Sequence, residues 1–285
     1  MFAAKAHTLL VPFTGKFAAH KAPTAPPKSK DDWKERLGNQ VQELGDAQYR
    51  LFADGRYSVL IVLQALDAAG KDGTIRHVFA GVNPNGLRVA SFKQPSTLEL
   101  AHDFLWRTTA HLPERGSIAI FNRSYYEEVL VVRVHPKYLD AQHLPGTPSK
   151  TFWADRLRAI ADHEHHLAEE GTVILKFWLN VSKAEQKKRL LERIEEPEKN
   201  WKFNPGDIDE RERWDDYIDA YEDALRATSR PWAPWYVIPA DDKPYARWQV
   251  AKLINDAFAQ LKLEFPRPDL RVRKQAKQRL LAQKD

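Results

Sequence analysis

The chain contains no cysteine, which excludes disulfides, thiolate metal sites and a cysteine nucleophile, and fits the reducing cytoplasm expected as its compartment. No apolar run approaches the length that a membrane span requires, so no membrane partner is expected. Residues 1–30 carry Lys and Phe but no continuous apolar stretch ending in a cleavage site, which speaks against a secretory signal. Zinc-finger spacing, RRM aromatics and a block of Lys/Arg are also missing. These absences speak against nucleic acid as a partner, although a formal charge of +5 and a pI near 9.2 favour something anionic. There is no internal repeat, no low-complexity tract and no linker that divides the chain.

What the chain has is alternation. Its 285 residues are 43% hydrophobic, enough for one large α/β domain. Apolar runs at 58–63, 88–92, 117–121, 172–179 and 235–239 read as strands. Helical spacing occupies 31–52, 71–80, 98–110, 125–132, 152–169, 183–194, 208–228 and 245–261. Such alternation predicts a parallel sheet of about five strands with helices on both faces, and ligands at the carboxyl ends of the strands. The expected organisation is a Pro-rich irregular arm (1–30), one domain (31–265) with a lid near 183–208, and a basic tail (266–285) that makes a surface or subunit contact.

The most telling segment comes directly after the first strand: Gln64-Ala65-Leu66-Asp67-Ala68-Ala69-Gly70-Lys71-Asp72-Gly73-Thr74. A strand, a small-residue loop with Gly-Lys, then a helix is the layout of a phosphate-binding loop, in which backbone N–H groups and the helix N-terminus face phosphate oxygens. The match to G-x-x-x-x-G-K-[ST] is imperfect. Ala65 replaces the first Gly, and Asp72 stands where a Mg²⁺-binding hydroxyl would be. Asp67 puts a negative charge inside the loop, which a divalent cation between it and the phosphate would reconcile. The plainer alternative is an ordinary strand–turn–helix corner.

Two further segments attract attention. The third strand runs into Asn122-Arg123-Ser124-Tyr125-Tyr126-Glu127-Glu128, where a guanidinium can grip phosphate bidentately. Glu127 either faces the site or, like Glu128, simply favours the helix dipole. The segment 182–208 gathers Arg189, Arg193, Lys199 and Lys202 around a Trp201-Lys202-Phe203 knot. It reads as a basic lid or as a solvated helix of mixed charge. Arg107, on the helix after the second strand, is a further candidate acceptor contact. The histidines at 163, 165 and 166 read as part of a solvated helix, because His165 and His166 do not share a face.

The loop at 64–73, Phe121 to Glu127, Glu198-Lys199-Asn200-Trp201-Lys202-Phe203, Trp214-Asp215-Asp216-Tyr217 and Ala233-Pro234-Trp235-Tyr236 together resemble polyphosphate kinase family 2, over about 31–261. The run from Tyr126 to Arg133 is most similar to its class III branch. The resemblance implies a three-layer α/β/α P-loop kinase fold, like thymidylate kinase, with a helical lid. It implies transfer of the terminal phosphoryl group of inorganic polyphosphate to AMP and ADP, with Mg²⁺ (or Mn²⁺ in its place), on adenine or also guanine nucleotides, by a homotetramer or dimer. On this resemblance Asp67 holds the metal, with Asp72 and Glu127 as further ligands, and Asp72 has the alternative of capping its helix by charge. Lys71 and the backbone of Ala68, Ala69, Gly70, Asp72, Gly73 and Thr74 cradle phosphate, and Arg76 lies along the donor chain. Asn122 and Arg123 contact acceptor phosphates, and Glu127 sets the acceptor length. Arg133, Arg189, Arg193, Lys199 and Lys202 supply donor-channel or lid charge, Arg193 and Lys202 foremost. Two alternatives remain: an ATP-dependent nucleoside or nucleotide kinase on the same fold, and a noncatalytic polyanion-binding module.

Overall fold

The computed structural model describes residues 1–146 and 148–283. Lys284 and Asp285, the end of the expected basic tail, lie outside the described residues. Five strands, β1 (Ser58–Gln64), β2 (Leu87–Ser91), β3 (Ile118–Asn122), β4 (Thr172–Asn180) and β5 (Trp235–Pro239), form one parallel sheet in the order β2-β3-β1-β4-β5. Alternating side chains of β1 feed two cores: Val59, Ile61 and Leu63 face one side, Leu60 and Val62 the other. That is why β1 reads as unbroken apolar sequence and is buried along its whole length.

The first side is covered by α1 (Trp33–Asp54), α2 (Lys71–Val78) and, from further along the chain, a helix at Lys243–Phe258. The second is covered by α3 (Phe152–Glu169) and a helix at Trp214–Thr228. The result is the three-layer α/β/α sandwich that the alternation predicts. Between β4 and β5, α4 (Lys183–Glu195), the turn Asn200–Lys202 and α5 (Gly206–Glu212) precede α6 (Trp214–Thr228); α7 (Lys243–Phe258) and α8 (Leu270–Leu281) come after β5. α8 carries no buried residue. No described helix is long and apolar enough to cross a membrane.

Three expected helices are broken. The segment 98–110 splits into Thr97–Leu100 and Trp106–Thr109, with Asp103 accepting from the Leu105 N–H in the gap. The segment 125–132 becomes a 3₁₀ turn, Tyr125–Glu128, and a separate turn, Val131–Val134. The segment 208–228 divides at Arg213. The arm at 1–30 is irregular but anchored. Val11 is fully buried, its N–H donates to the Trp235 carbonyl at 2.9 Å, and the Val237 N–H donates to the Leu9 carbonyl at 2.8 Å. It therefore covers the outer edge of β5, satisfying backbone groups that would otherwise be open to pairing.

Candidate active site

The loop after β1 and the turn after β3 leave neighbouring strands side by side. Leu63 is paired with Asn122, and the Arg123 N–H donates to the Leu63 carbonyl at 3.1 Å. In the loop, Ala68 (φ 61°) and Gly70 (φ 110°) take left-handed backbone, which bends the chain so that Gly70 caps α2. A Cβ on Gly73 would come within 3.0 Å of the Arg247 guanidinium, so the small residue keeps a cation of α7 close to the loop. Lys71 folds back, its Nζ donating to the Ala65 carbonyl at 2.7 Å. Burial, and then repulsion from Arg123, pull its pKa down to about 8.

Arg123 also has left-handed backbone (φ 65°) and bridges loop and turn. Its guanidinium donates to Asp67 Oδ1 at 2.7 Å and to Glu127 Oε2 at 3.0 Å. Glu127 and, against some burial, Asp67 hold its charge firmly. Asn122 donates to Asp72 Oδ1 at 2.9 Å, while Lys202 reaches Asp72 Oδ2 from the lid at 3.5 Å. Burial would raise the Asp72 pKa, but these two partners together bring it below the usual carboxylate range.

A cleft of about 970 Å³ runs between these parts. Loop residues 67–73 and Arg76 line it on one side, Asn122, Arg123 and Glu127 on another, and Arg193 and Lys202 from the lid. Two expected site residues lie elsewhere. Thr74 is buried with its hydroxyl donating to the Gly70 carbonyl at 3.1 Å, and Arg133 pairs with Asp223 at 2.6 Å outside the lining. Arg189 reaches the cleft, but its guanidinium donates to the carbonyls of Ala69 (2.9 Å) and Ala240 (2.7 Å), making it a brace that ties the loop to the end of β5. Arg193 is held by Asp207 of α5 at 2.8 Å, and Lys199 by Glu192 and Glu196.

Arg107, the candidate acceptor contact, lines the cleft, with its guanidinium donating to the Lys93 carbonyl at 2.8 Å and lying over the Phe92 ring. Other groups at the cleft are not foreshadowed by any local motif. Lys243 sits in the wall. Glu128 is buried with Arg156 (3.3 Å) and receives Gln142 at 2.7 Å, which pins the turn Pro136–Gln142 against the cleft. Asp207 lies near Asp67, and burial, then that like charge, push its pKa up. The charge of these neighbours is visible in the sequence, but their convergence depends on the tertiary fold. The histidines at 163, 165 and 166 do not converge: His163 packs edge-on against Tyr125, and His165 faces Glu169 at 3.8 Å.

Among the described residues no three His, Cys, Asp or Glu side chains gather tightly enough to enclose a metal. Asp67 nevertheless has one carboxylate oxygen, Oδ2, with no hydrogen bond to protein among the described residues, at the cleft wall. One carboxylate with substrate phosphates suits a hard cation that keeps several waters, as Mg²⁺ does. Chemically, the arrangement sets several cations around three carboxylates, of which Asp67 keeps a free oxygen, and such a combination suits phosphoryl transfer.

The family profile described as Polyphosphate kinase 2 (PPK2) matches residues 27–266. An ADP-polyphosphate phosphotransferase of Rhodopseudomonas palustris is 54% identical over 241 residues, covering 84% of this chain and 83% of that one. An AMP/ADP-polyphosphate phosphotransferase of Meiothermus ruber is 49% identical over 235 residues, 82% and 84% of the two chains. The crystal structure of Polyphosphate Kinase 2 from Arthrobacter aurescens TC1 superposes with a TM-score of 0.87 at 38% identity, covering 99% of each chain.

Proposed function

The chain belongs to the polyphosphate kinase 2 family, and from that premise we propose that it transfers the terminal phosphoryl group of inorganic polyphosphate to AMP and ADP, forming ADP and ATP. The observation that carries the reading is the Asp67–Arg123–Glu127 bridge at the junction of the phosphate loop and the β3 turn. The donor lies along Lys71, Arg76 and the lid cations. The acceptor phosphate meets Arg123 and Asn122. Nucleotide phosphate oxygens are ionised near neutral pH, so positioning and charge cancellation suffice and no strong base is required. Asp67 would hold a divalent ion, Mg²⁺ or Mn²⁺, through its free oxygen, with Asp72 as a second ligand if Asn122 and Lys202 release it, and the ion would supply charge neutralisation at the transferring phosphoryl group. Closure of the 183–208 lid would require Arg193 and Lys202 to exchange Asp207 and Asp72 for donor oxygens. The chain acts in the cytoplasm as a homo-oligomer.

The test is the set of products formed from AMP and from ADP, each supplied separately with long-chain polyphosphate and Mg²⁺. ADP and then ATP from AMP supports the reading; ATP from ADP alone restricts the acceptor to the diphosphate. Robust AMP phosphorylation with ATP and no polyphosphate would favour an ATP-dependent kinase. Asp67→Asn keeps a partner for Arg123 but removes the charge, and should lower turnover by about 100-fold or more with the fold intact. Salt-sensitive polyphosphate binding without any turnover in the parent protein would leave only a polyanion-binding module.

A further inference from the structure

The turn that presents Arg123 and Glu127 has little of its own to hold it. Arg123 is in left-handed backbone, and Tyr125–Glu128 form a single 3₁₀ turn. Its support lies underneath. Tyr125 and Tyr126 are fully buried, and both hydroxyls donate to Oε1 of Glu164 in α3, at 3.0 and 2.9 Å. The other carboxylate oxygen receives Lys176, from the middle of β4. The Lys176 ammonium also donates to the Tyr126 hydroxyl at 2.9 Å and to the Thr228 carbonyl at 2.8 Å. Every proton of the lysine and both phenolic protons therefore have acceptors, while Glu164 and Lys176 are wholly inaccessible to solvent.

Stability alone is a poor explanation for this pair. Two charges taken out of water are costly, and a well-packed apolar replacement of the whole set is often neutral or stabilising. What the network adds to the aromatic packing of Tyr125 and Tyr126 is a polar anchor at each hydroxyl, in the segment between Arg123 and Glu127. From the front, Ser124 accepts from Gln64 at 3.1 Å and from the Tyr126 N–H at 3.1 Å, tying the same turn to the end of β1. The phosphate loop is braced separately, by Arg189.

We infer that Glu164 and Lys176, acting through the hydroxyls of Tyr125 and Tyr126, are positioning residues that set where Arg123 and Glu127 stand against Asp67. The inference rests on the proposed acceptor role of that turn. Because the donor loop has its own brace, the unit governs turnover and acceptor choice and leaves donor binding alone.

The experiment compares Tyr125→Phe, Tyr126→Phe and the all-apolar set Tyr125→Phe/Tyr126→Phe/Glu164→Leu/Lys176→Met with the parent protein. Thermal unfolding, kcat with AMP and with ADP, and KM for polyphosphate are measured for each. Tyr126→Phe is expected to lower kcat about tenfold, since small misplacements of reacting groups are expensive. It should also change the AMP-to-ADP rate ratio and leave KM for polyphosphate within about twofold. The apolar set, which also takes the Lys176 donor from the Thr228 carbonyl, is expected to fold with some loss of Tm and to turn over slowly. Parent-like kcat and acceptor ratio in both single variants, or full activity in a folded apolar set, overturns the inference. Should the apolar set not fold, the two single variants decide. Failure of the parent protein to use either acceptor would instead sink the functional reading beneath it.

Discussion

Lys71 must be charged to hold phosphate, yet its surroundings work against the charge. Burial and Arg123 lower its pKa from the ordinary 10.5 to about 8, so the free enzyme carries the ammonium below that pH and loses it above. kcat/KM for polyphosphate, which reports the free enzyme, should therefore fall about tenfold per pH unit above pH 8. Bound phosphate favours the cation, so the break in kcat should lie higher. For stability, the unfolded chain holds this proton up to 10.5 while the folded one has released it, so the contribution of Lys71 to stability rises with pH between about 8 and 10.5. Lys71→Arg, which stays charged, should abolish the break. A kcat/KM flat across that window in the parent protein would show that Lys71 does not contact the donor as a cation. Glu127 lends itself to a different test. It lies 3.0 Å from Arg123 and faces the acceptor side of the cleft, so Glu127→Gln removes a charge that an added acceptor phosphate would meet. The AMP-to-ADP ratio of kcat/KM should fall by about tenfold, read from initial rates with each acceptor; an unchanged ratio would remove Glu127 from acceptor choice.

At the scale of elements, β1, β3, β4 and β5 were legible because strands buried on both faces of a parallel sheet demand near-continuous apolar sequence, and the loop after β1 was legible because its chemistry is local. Tyr125–Glu128 was not. Its apolar spacing suits a helix, but the two tyrosines turn inward to a carboxylate 39 and 38 residues away, and no local pattern records that. A signal was present in β4, where Lys176 interrupts an otherwise apolar run; a lysine in a strand buried on both faces requires a partner. The arm at 1–30 carried least signal, since irregular chain has no period. Its role is nonetheless testable. Phe2 and Val11 are buried, each worth roughly 2 kcal/mol, and Val11 and Leu9 pair with β5. Deleting residues 1–12 should lower Tm by about 10 °C and, by baring the β5 edge, promote aggregation visible in light scattering. A monodisperse deletion variant with parental Tm would show that the arm merely rests on the sheet.

For the molecule as a whole, a formal charge of +5 understates the asymmetry that matters. Several carboxylates at or beside the cleft are engaged: Asp67 and Glu127 by Arg123, Asp72 by Asn122 and Lys202, Asp207 by Arg193. Arg76 and Lys243 face the cleft with no carboxylate within 4.0 Å among the described residues. The donor is a polyanion and the acceptor a shorter anion, so added salt should separate them. Screening over about 8 Å at physiological ionic strength leaves short-range contacts largely intact and weakens the field that gathers a long chain. KM for long polyphosphate should therefore rise several-fold between about 50 and 300 mM KCl, with a smaller rise for AMP or ADP and little change in kcat. Arg76→Ala should flatten the dependence for the donor and leave that for the acceptor, because it stands beyond the loop, on α2, away from the β3 turn. Equal salt dependence for donor and acceptor would mean that the cleft does not divide its cations between two ends, and the assignment of the α2 and lid side to the donor would fail.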